Sequence, residues 1–181
     1  MYLVFYEKKT NPTMEQNKIG SITYYISESI NEITKEKNIQ MTISNVHICP
    51  KKRDQGLAYF LILFAYYDLF YQMPYFETRE PFIIELDDMS DHFQKVHNLY
   101  KNIGFEYVQK GYPEMKMEMH SRKFQPFFRS ILHKIKMKKR WNIEHILMNP
   151  ESIDEERIGN KDEIFIQSWI NKRFETFKKY F

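Results

Sequence analysis

Residues 43–71, ISNVHICPKKRDQGLAYFLILFAYYDLFY, read as a strand, a tight turn and a helix. The strand side, Gln40 to Cys49, alternates and is rich in β-branched residues. Pro50 has no amide hydrogen and ends its pairing. A short polar loop, Lys51 to Gln55, closes on Gly56. From Leu57 the apolar residues continue through Ala58, Phe60, Leu61, Leu63, Phe64, Ala65 and Leu69. That run is too long and too weakly alternating for a strand, and predicts a buried helix to about Tyr71, closed by Met73-Pro74.

The joint between strand and helix carries the chemistry. The first turn of a helix has amides with no intrahelical partner, and its aligned dipoles place about half a positive charge there. A loop whose amides turn toward that point makes a nest for phosphate. Gly56 permits close backbone approach, Ala58 keeps the helix start uncluttered, and Arg53 and Lys51 add positive charge. Arg53, Asp54, Gln55, Gly56, Leu57 and Ala58 are therefore a candidate pyrophosphate site.

This segment resembles the cofactor-binding motif of GNAT-type N-acetyltransferases, Arg/Gln-x-x-Gly-x-Gly/Ala after a strand that ends in apolar-x-Pro. Here Ile48-Cys49-Pro50 precedes Arg53, Gly56 and Ala58. A second match lies downstream. Phe82 to Asp87 (FIIELD) reads as a buried strand, and Asp91 as the cap of a helix running to about Asn102, with Phe93, Val96 and Leu99–Tyr100 on one buried face. That helix ends in Leu99 to Phe105 (LYKNIGF), where Gly104 suits a left-handed stop and Phe105 opens the next strand, through Val108. The stretch is similar to the family signature Leu-Tyr-x-x-x-Gly-Phe. The resemblance covers roughly Met1 to Met119.

The resemblance implies an α/β (α+β) fold with a mixed, mostly antiparallel central sheet flanked by helices, and acetyl-CoA as co-substrate. It implies that the backbone of Val46, His47 and Ile48 takes the pantetheine arm like an extra strand, and that the amides of Arg53 to Ala58 take the pyrophosphate. Tyr100 stands at the family's acid position, where a hydroxyl approaches the cofactor sulfur. For the base, His47 titrates near neutrality and Glu85 sits mid-strand, where burial raises a carboxyl; both stay open beside a water chain. Two departures matter. The family often has Asn seven residues before the tyrosine, and here that residue is Phe93. The family usually has a strand and two helices ahead of the first meander, whereas here the sequence as given opens almost directly on it.

That meander is Tyr2–Tyr6, Ile19–Ile26 and Gln40–Cys49, with Asn11-Pro12 as a turn and Ser27 to Asn38 as loop or short helix. Glu114 to His120 alternates, with Met115, Met117 and Met119 on one face of a half-buried strand.

Composition bounds the rest. The chain has 181 residues, 43% hydrophobic and 28% charged, as in a soluble globular protein. Ala58 and Ala65 are its only alanines, and the wealth of Lys, Ile, Asn, Tyr and Phe fits an AT-rich genome, bacterial or of a large virus. A net charge of +3 does not by itself imply nucleic acid. The single cysteine, Cys49, excludes an internal disulfide and a cysteine zinc site, and no metal is expected. No signal peptide or membrane span is legible, so a cytoplasmic location is expected, in a host cell if the source is viral.

Residues 121–181 are expected as a helical extension packed on an acetyl-CoA-binding domain of residues 1–120. Arg122 to Arg140, RKFQPFFRSILHKIKMKKR, is strongly basic. Pro126 fits a first helical turn, and Phe127, Phe128, Ile131, Leu132 and Ile135 form an apolar stripe. Three readings compete: a docked helix with a solvated basic face, a nucleic-acid surface, and a membrane-surface helix. Glu151 to Glu163 reads as an acidic loop or short helix, and Ile164 to Phe181 as a second amphipathic helix. Trp141 and Trp169 are too large to leave exposed without reason.

Two functions follow. One is an N-acetyltransferase that moves acetyl from acetyl-CoA to an amine. The other is a catalytically degenerate binding module of the same fold, whose basic helix contacts nucleic acid or a protein partner. The acceptor is not legible.

Overall fold

The computed structural model describes residues 1–8, 18–30, 35, 37–72, 82–95, 98–151 and 160–181. Seven strands form one mixed sheet in the order β5-β6-β4-β3-β2-β1-β7. They are β1 (Tyr2–Glu7), β2 (Lys18–Ile30), β3 (Lys37–Ile48), β4 (Phe82–Asp87), β5 (Glu106–Tyr107), β6 (Glu114–Met119) and β7 (Ile146–Glu151). The helices are α1 (Leu57–Gln72), α2 (Leu99–Ile103), α3 (Ser121–Lys138) and α4 (Asn160–Lys178). The β3–β4 pair is parallel, while β1–β2, β1–β7, β4–β6 and β5–β6 are antiparallel.

The chain divides into two compact units. The first comprises Met1–Thr23, Asn45–Asp68 and Leu132–Phe181. Its core is aromatic. Phe5 of β1, Phe60 and Phe64 of α1, and Phe174 and Phe177 of α4 meet mostly edge to face, with centroids 5.2–6.2 Å apart. α1 is buried from Tyr59 to Leu69, as an all-apolar helix must be. Its only charged residue, Asp68, is fully buried and accepts from Arg173 of α4, whose guanidinium also stacks on Trp169. Gly20 of β2 is required by sterics: a Cβ there would lie 2.5 Å from the carbonyl oxygen of His47.

The second unit comprises Tyr24–Ser44 and Leu69–Ile131. Here β4 keeps the predicted bounds, and Met115, Met117 and Met119 of β6 are buried as one face. Phe124 stacks on Phe70 at 4.1 Å and continues to Phe128.

Several expectations need correction. The helix from Asp91 does not form; residues 91–94 are turns, Gln94 has φ +56°, and Asn98 caps a helix of five residues. The tertiary bonds of Asn98 and Tyr107 win over the helical periodicity. Pro126 lies inside α3, beyond its first turn, because the helix begins at Ser121. β2 runs on to Ile30, through the start of the expected loop. Glu151, read as the start of an acidic segment, ends β7, an edge strand that also holds Pro150, where proline is tolerated. The Asn11-Pro12 turn, the Met73-Pro74 stop, Val96 and most of Glu151–Glu163 lie outside the described residues.

Candidate functional site

The loop after β3 is built by its dihedral angles. Pro50–Lys52 make one 3₁₀ turn, Arg53 is extended, and Asp54 and Gly56 take φ +60° and +78°. α1 then starts at Leu57, its first helical bond running from the Phe60 amide to the Gly56 carbonyl at 3.1 Å. Among the described residues, the successive amides of Asp54, Gln55, Gly56, Leu57 and Ala58 donate no hydrogen bond. Unpaired amides at a helix start are the raw material of an anion nest. Arg53 is exposed, and its Nε reaches back to the Ile48 carbonyl at 3.5 Å. Lys52 is neutralised by Glu7 at 2.7 Å, whereas Lys51 and Arg53 have no carboxylate partner among the described residues.

Among the described residues, the end of the preceding strand has one unpaired edge. β3 pairs with β4 only from Gln40 to Ile43, yet it continues to Ile48. The Cys49 amide donates to Ile19 of β2 at 3.0 Å. Alternation therefore turns the backbone groups of Val46 and Ile48 to the edge away from β2, and those of His47 toward it. Of the three residues expected to hold pantetheine, Val46 and Ile48 present backbone to the open edge. The His47 side chain is exposed and makes no hydrogen bond among the described residues.

What Gly56 approaches closely is the end of α3. A Cβ on Gly56 would lie 3.3 Å from Lys138 Cβ and 3.5 Å from the Ile135 backbone. Lys138 Nζ lies 5.7 Å from the Tyr59 ring, in the first turn of α1. Trp141 donates through Nε1 to the Gln55 carbonyl at 2.9 Å. The segment after residue 131 thus forms a wall of the loop. Sequence reading found the bulk of Trp141 but not its partner, which lies 86 positions away.

Tyr100 and Glu85 belong to the second unit. Tyr100 sits in α2 between the Asn98 cap and Gly104, a left-handed stop with φ +111°. Its hydroxyl makes no hydrogen bond among the described residues. Burial, and then the Asp88 carboxylate, push its pKa up to about 12. It therefore keeps its proton across the biological range. Glu85 is half-buried and accepts from Gln40 Nε2 at 2.6 Å. Phe93, at the expected asparagine position, packs edge-on against Tyr107 at 5.7 Å.

Around Tyr100 lies a network that sequence reading missed. Asp88, only 1% exposed, accepts from the Ser90 amide and hydroxyl, Asn98 Nδ2 and the Tyr107 hydroxyl. Burial pushes its carboxyl up, but bonds from Ser90, Tyr107 and Asn98 outweigh that and hold it below the ordinary value. Among the described residues, no group of three or more His, Cys, Asp or Glu could hold a metal ion, and no helix is long and apolar enough to cross a membrane. Of the apolar stripe of α3, Phe128, Ile131 and Ile135 are buried, and Phe127 and Leu132 are half-buried.

No protein-family model and no curated protein sequence matches the chain. Solved structures do. The KacTA–DNA complex superposes with a TM-score of 0.50 at 13% identity, over 72% of this chain and 75% of that one. An AtaT toxin variant bound to acetyl-CoA and the C-terminus of the antitoxin AtaR gives 0.46 at 14% identity, over 61% of this chain. AtaT complexed with acetyl-methionyl-tRNAfMet gives 0.45 at 15% identity, over 64% of this chain and 70% of that one. The chain spans 64% of the length of the acetyl-CoA-bound AtaT chain. The fold is GNAT-like: a mixed seven-stranded sheet with helices.

Proposed function

We propose that the chain is an acetyl-CoA-dependent N-acetyltransferase. The observation that carries this reading is the run of unpartnered amides from Asp54 to Ala58, following an open strand edge at Val46 and Ile48. A pyrophosphate fits the first and a pantetheine amide the second, in the chain order that the coenzyme requires. Arg53 and Lys51 supply positive charge beside the loop.

Transfer forms a C–N bond, breaks a C–S bond, and needs a donor for the leaving sulfur. Tyr100 supplies that hydrogen, from a hydroxyl that holds its proton and has no competing bond among the described residues. A phenol with so high a pKa serves better as a hydrogen-bond donor to the thiolate than as a full proton source. His47, exposed and without a hydrogen bond among the described residues, is the favoured base, because Glu85 is occupied by Gln40. The acceptor is an amine.

The test is a thermal shift with acetyl-CoA, since a ligand bound only to the native state raises the melting point. Arg53→Ala is the cleaner variant; Gly56→Glu would strike α3 whether or not the coenzyme binds. A shift in the parent protein that shrinks in Arg53→Ala supports the reading. No shift at saturating acetyl-CoA removes it.

One observation favours a second reading. Arg122, Lys123, Arg129, Lys136, Lys138 and Arg140 of α3 and its end are exposed, with no carboxylate partner among the described residues. A binding module that grips nucleic-acid phosphates would present such a face. Salt-dependent retention of RNA or DNA, lost on neutralising Lys136, Lys138 and Lys139, combined with coenzyme binding but no thiol release, selects it.

A further inference from the structure

We propose that Asp88 and Asn98 are positioning residues that aim Tyr100. This rests on the transferase reading for its consequence, but on geometry for its substance. α2 has only five residues, far too few to hold a helical conformation by propensity. Whatever fixes its ends fixes Tyr100. At the C-terminal end Gly104 returns its amide to the carbonyls of Tyr100 and Lys101, at 3.1 and 3.0 Å. At the N-terminal end the work falls to Asn98.

Asn98 is fully buried and uses both halves of its amide. Its Oδ1 accepts from the amides of Tyr100 at 2.7 Å and Lys101 at 3.2 Å. Its Nδ2 donates to Asp88 Oδ2 at 2.5 Å and to the His92 carbonyl at 3.1 Å. A side-chain amide held at both ends has a defined flip and a defined direction. The anchor is Asp88, itself locked by Ser90 and by the Tyr107 hydroxyl, which also accepts from the Gln94 amide at 2.7 Å. A buried, ionised carboxylate thus stands at one end of a chain of bonds whose other end is the backbone nitrogen of Tyr100. An alanine at either position breaks that chain and leaves buried partners unsatisfied.

The same carboxylate acts on the Tyr100 ring through space, favouring the neutral phenol. Lys101 also carries charge near the cluster, its ammonium 5.2 Å from the Tyr107 ring.

The experiment uses the full chain, acetyl-CoA, and a mixture of lysine, spermidine and glycinamide as acceptors, with thiol release as the readout. In Asn98→Ala, kcat falls by up to about 10²-fold, while KM for acetyl-CoA and its thermal shift are unchanged. Asn98→Ser, which keeps a cap acceptor, recovers part of the rate. In Asp88→Asn, the alkaline absorbance step assigned to Tyr100, by difference from the same variant carrying Tyr100→Phe, moves to lower pH. Retained kcat in Asn98→Ala, or a parallel loss of coenzyme binding and rate, overturns the proposal; so does an unmoved Tyr100 titration. If the parent protein releases no thiol, the transferase reading fails on its own. The positioning of Tyr100 is then judged by the titration alone.

Discussion

The indole nitrogen of Trp141 stands 2.9 Å from the Gln55 carbonyl oxygen and donates to it. A residue beyond α3 therefore pins the loop that is proposed to hold the coenzyme phosphates. The same ring packs on Phe60 at 5.0 Å and Phe181 at 6.0 Å, so its position is fixed from three sides. Trp141→Phe keeps the ring contacts and removes the donor. It should lower stability by about 1 kcal/mol in urea melts, and weaken the acetyl-CoA thermal shift. The chain has two tryptophans, so Trp169→Phe leaves Trp141 as sole reporter, and its emission should change on adding acetyl-CoA.

Gly56→Ala tests the other side of the same contact. The left-handed conformation costs an L residue about 1–2 kcal/mol, and the new methyl meets Lys138 Cβ at 3.3 Å. Because the contact is with Cβ and backbone, Lys138→Ala should not rescue the loss. Denaturation midpoints of the two single variants and the double variant decide the point.

The sequence exposed much of this region and hid one part of it. The strand, loop and helix of residues 40–72 form as the proline, the glycine and the unbroken apolar run require. The Gly104 stop was legible because only glycine takes φ +111° without strain. The segment before α2 was not legible. Phe93 and Leu99 have helical spacing, but the Tyr107 hydroxyl claims the Gln94 amide and Asn98 turns its side chain to Asp88. Such bonds join residues that no periodicity relates. β7 was hidden for a similar reason, since its pairing with β1 depends on a partner more than a hundred residues away.

The buried Asp68–Arg173 pair makes a stability prediction. Asp68→Ala strands the guanidinium inside the protein and should cost about 3–5 kcal/mol. Replacing both, as Asp68→Leu with Arg173→Met, should cost much less, because neither charge then needs a partner. Chemical denaturation of the three variants measures the difference. Equal losses in the single and double variants would refute the pairing.

Tyr100 gives a prediction in pH. Its folded pKa is raised from 10.0 to about 12. Above the lower value the unfolded chain releases that proton while the folded chain keeps it, so unfolding is increasingly favoured. The Tyr100 contribution is present in full below pH 10 and lost as pH rises toward about 12. Tyr100→Phe should flatten that part of the stability profile, measured by urea midpoints across the alkaline range.

The pairing of β1 with β7 has a consequence for biosynthesis. β1 leaves the ribosome shortly before β2 and finds it early, at Tyr2 to Thr23 and onward. Its other border stays bare until Ile146–Glu151 has been translated. Contacts so distant along the chain are slow to form. Trp141 follows the loop by 86 positions, so the nascent protein gains its grip on the loop only after α3 has been made. A chain truncated before residue 141 would leave the translation machinery with both an open sheet border and an unpinned loop, a species suited to chaperones rather than to chemistry.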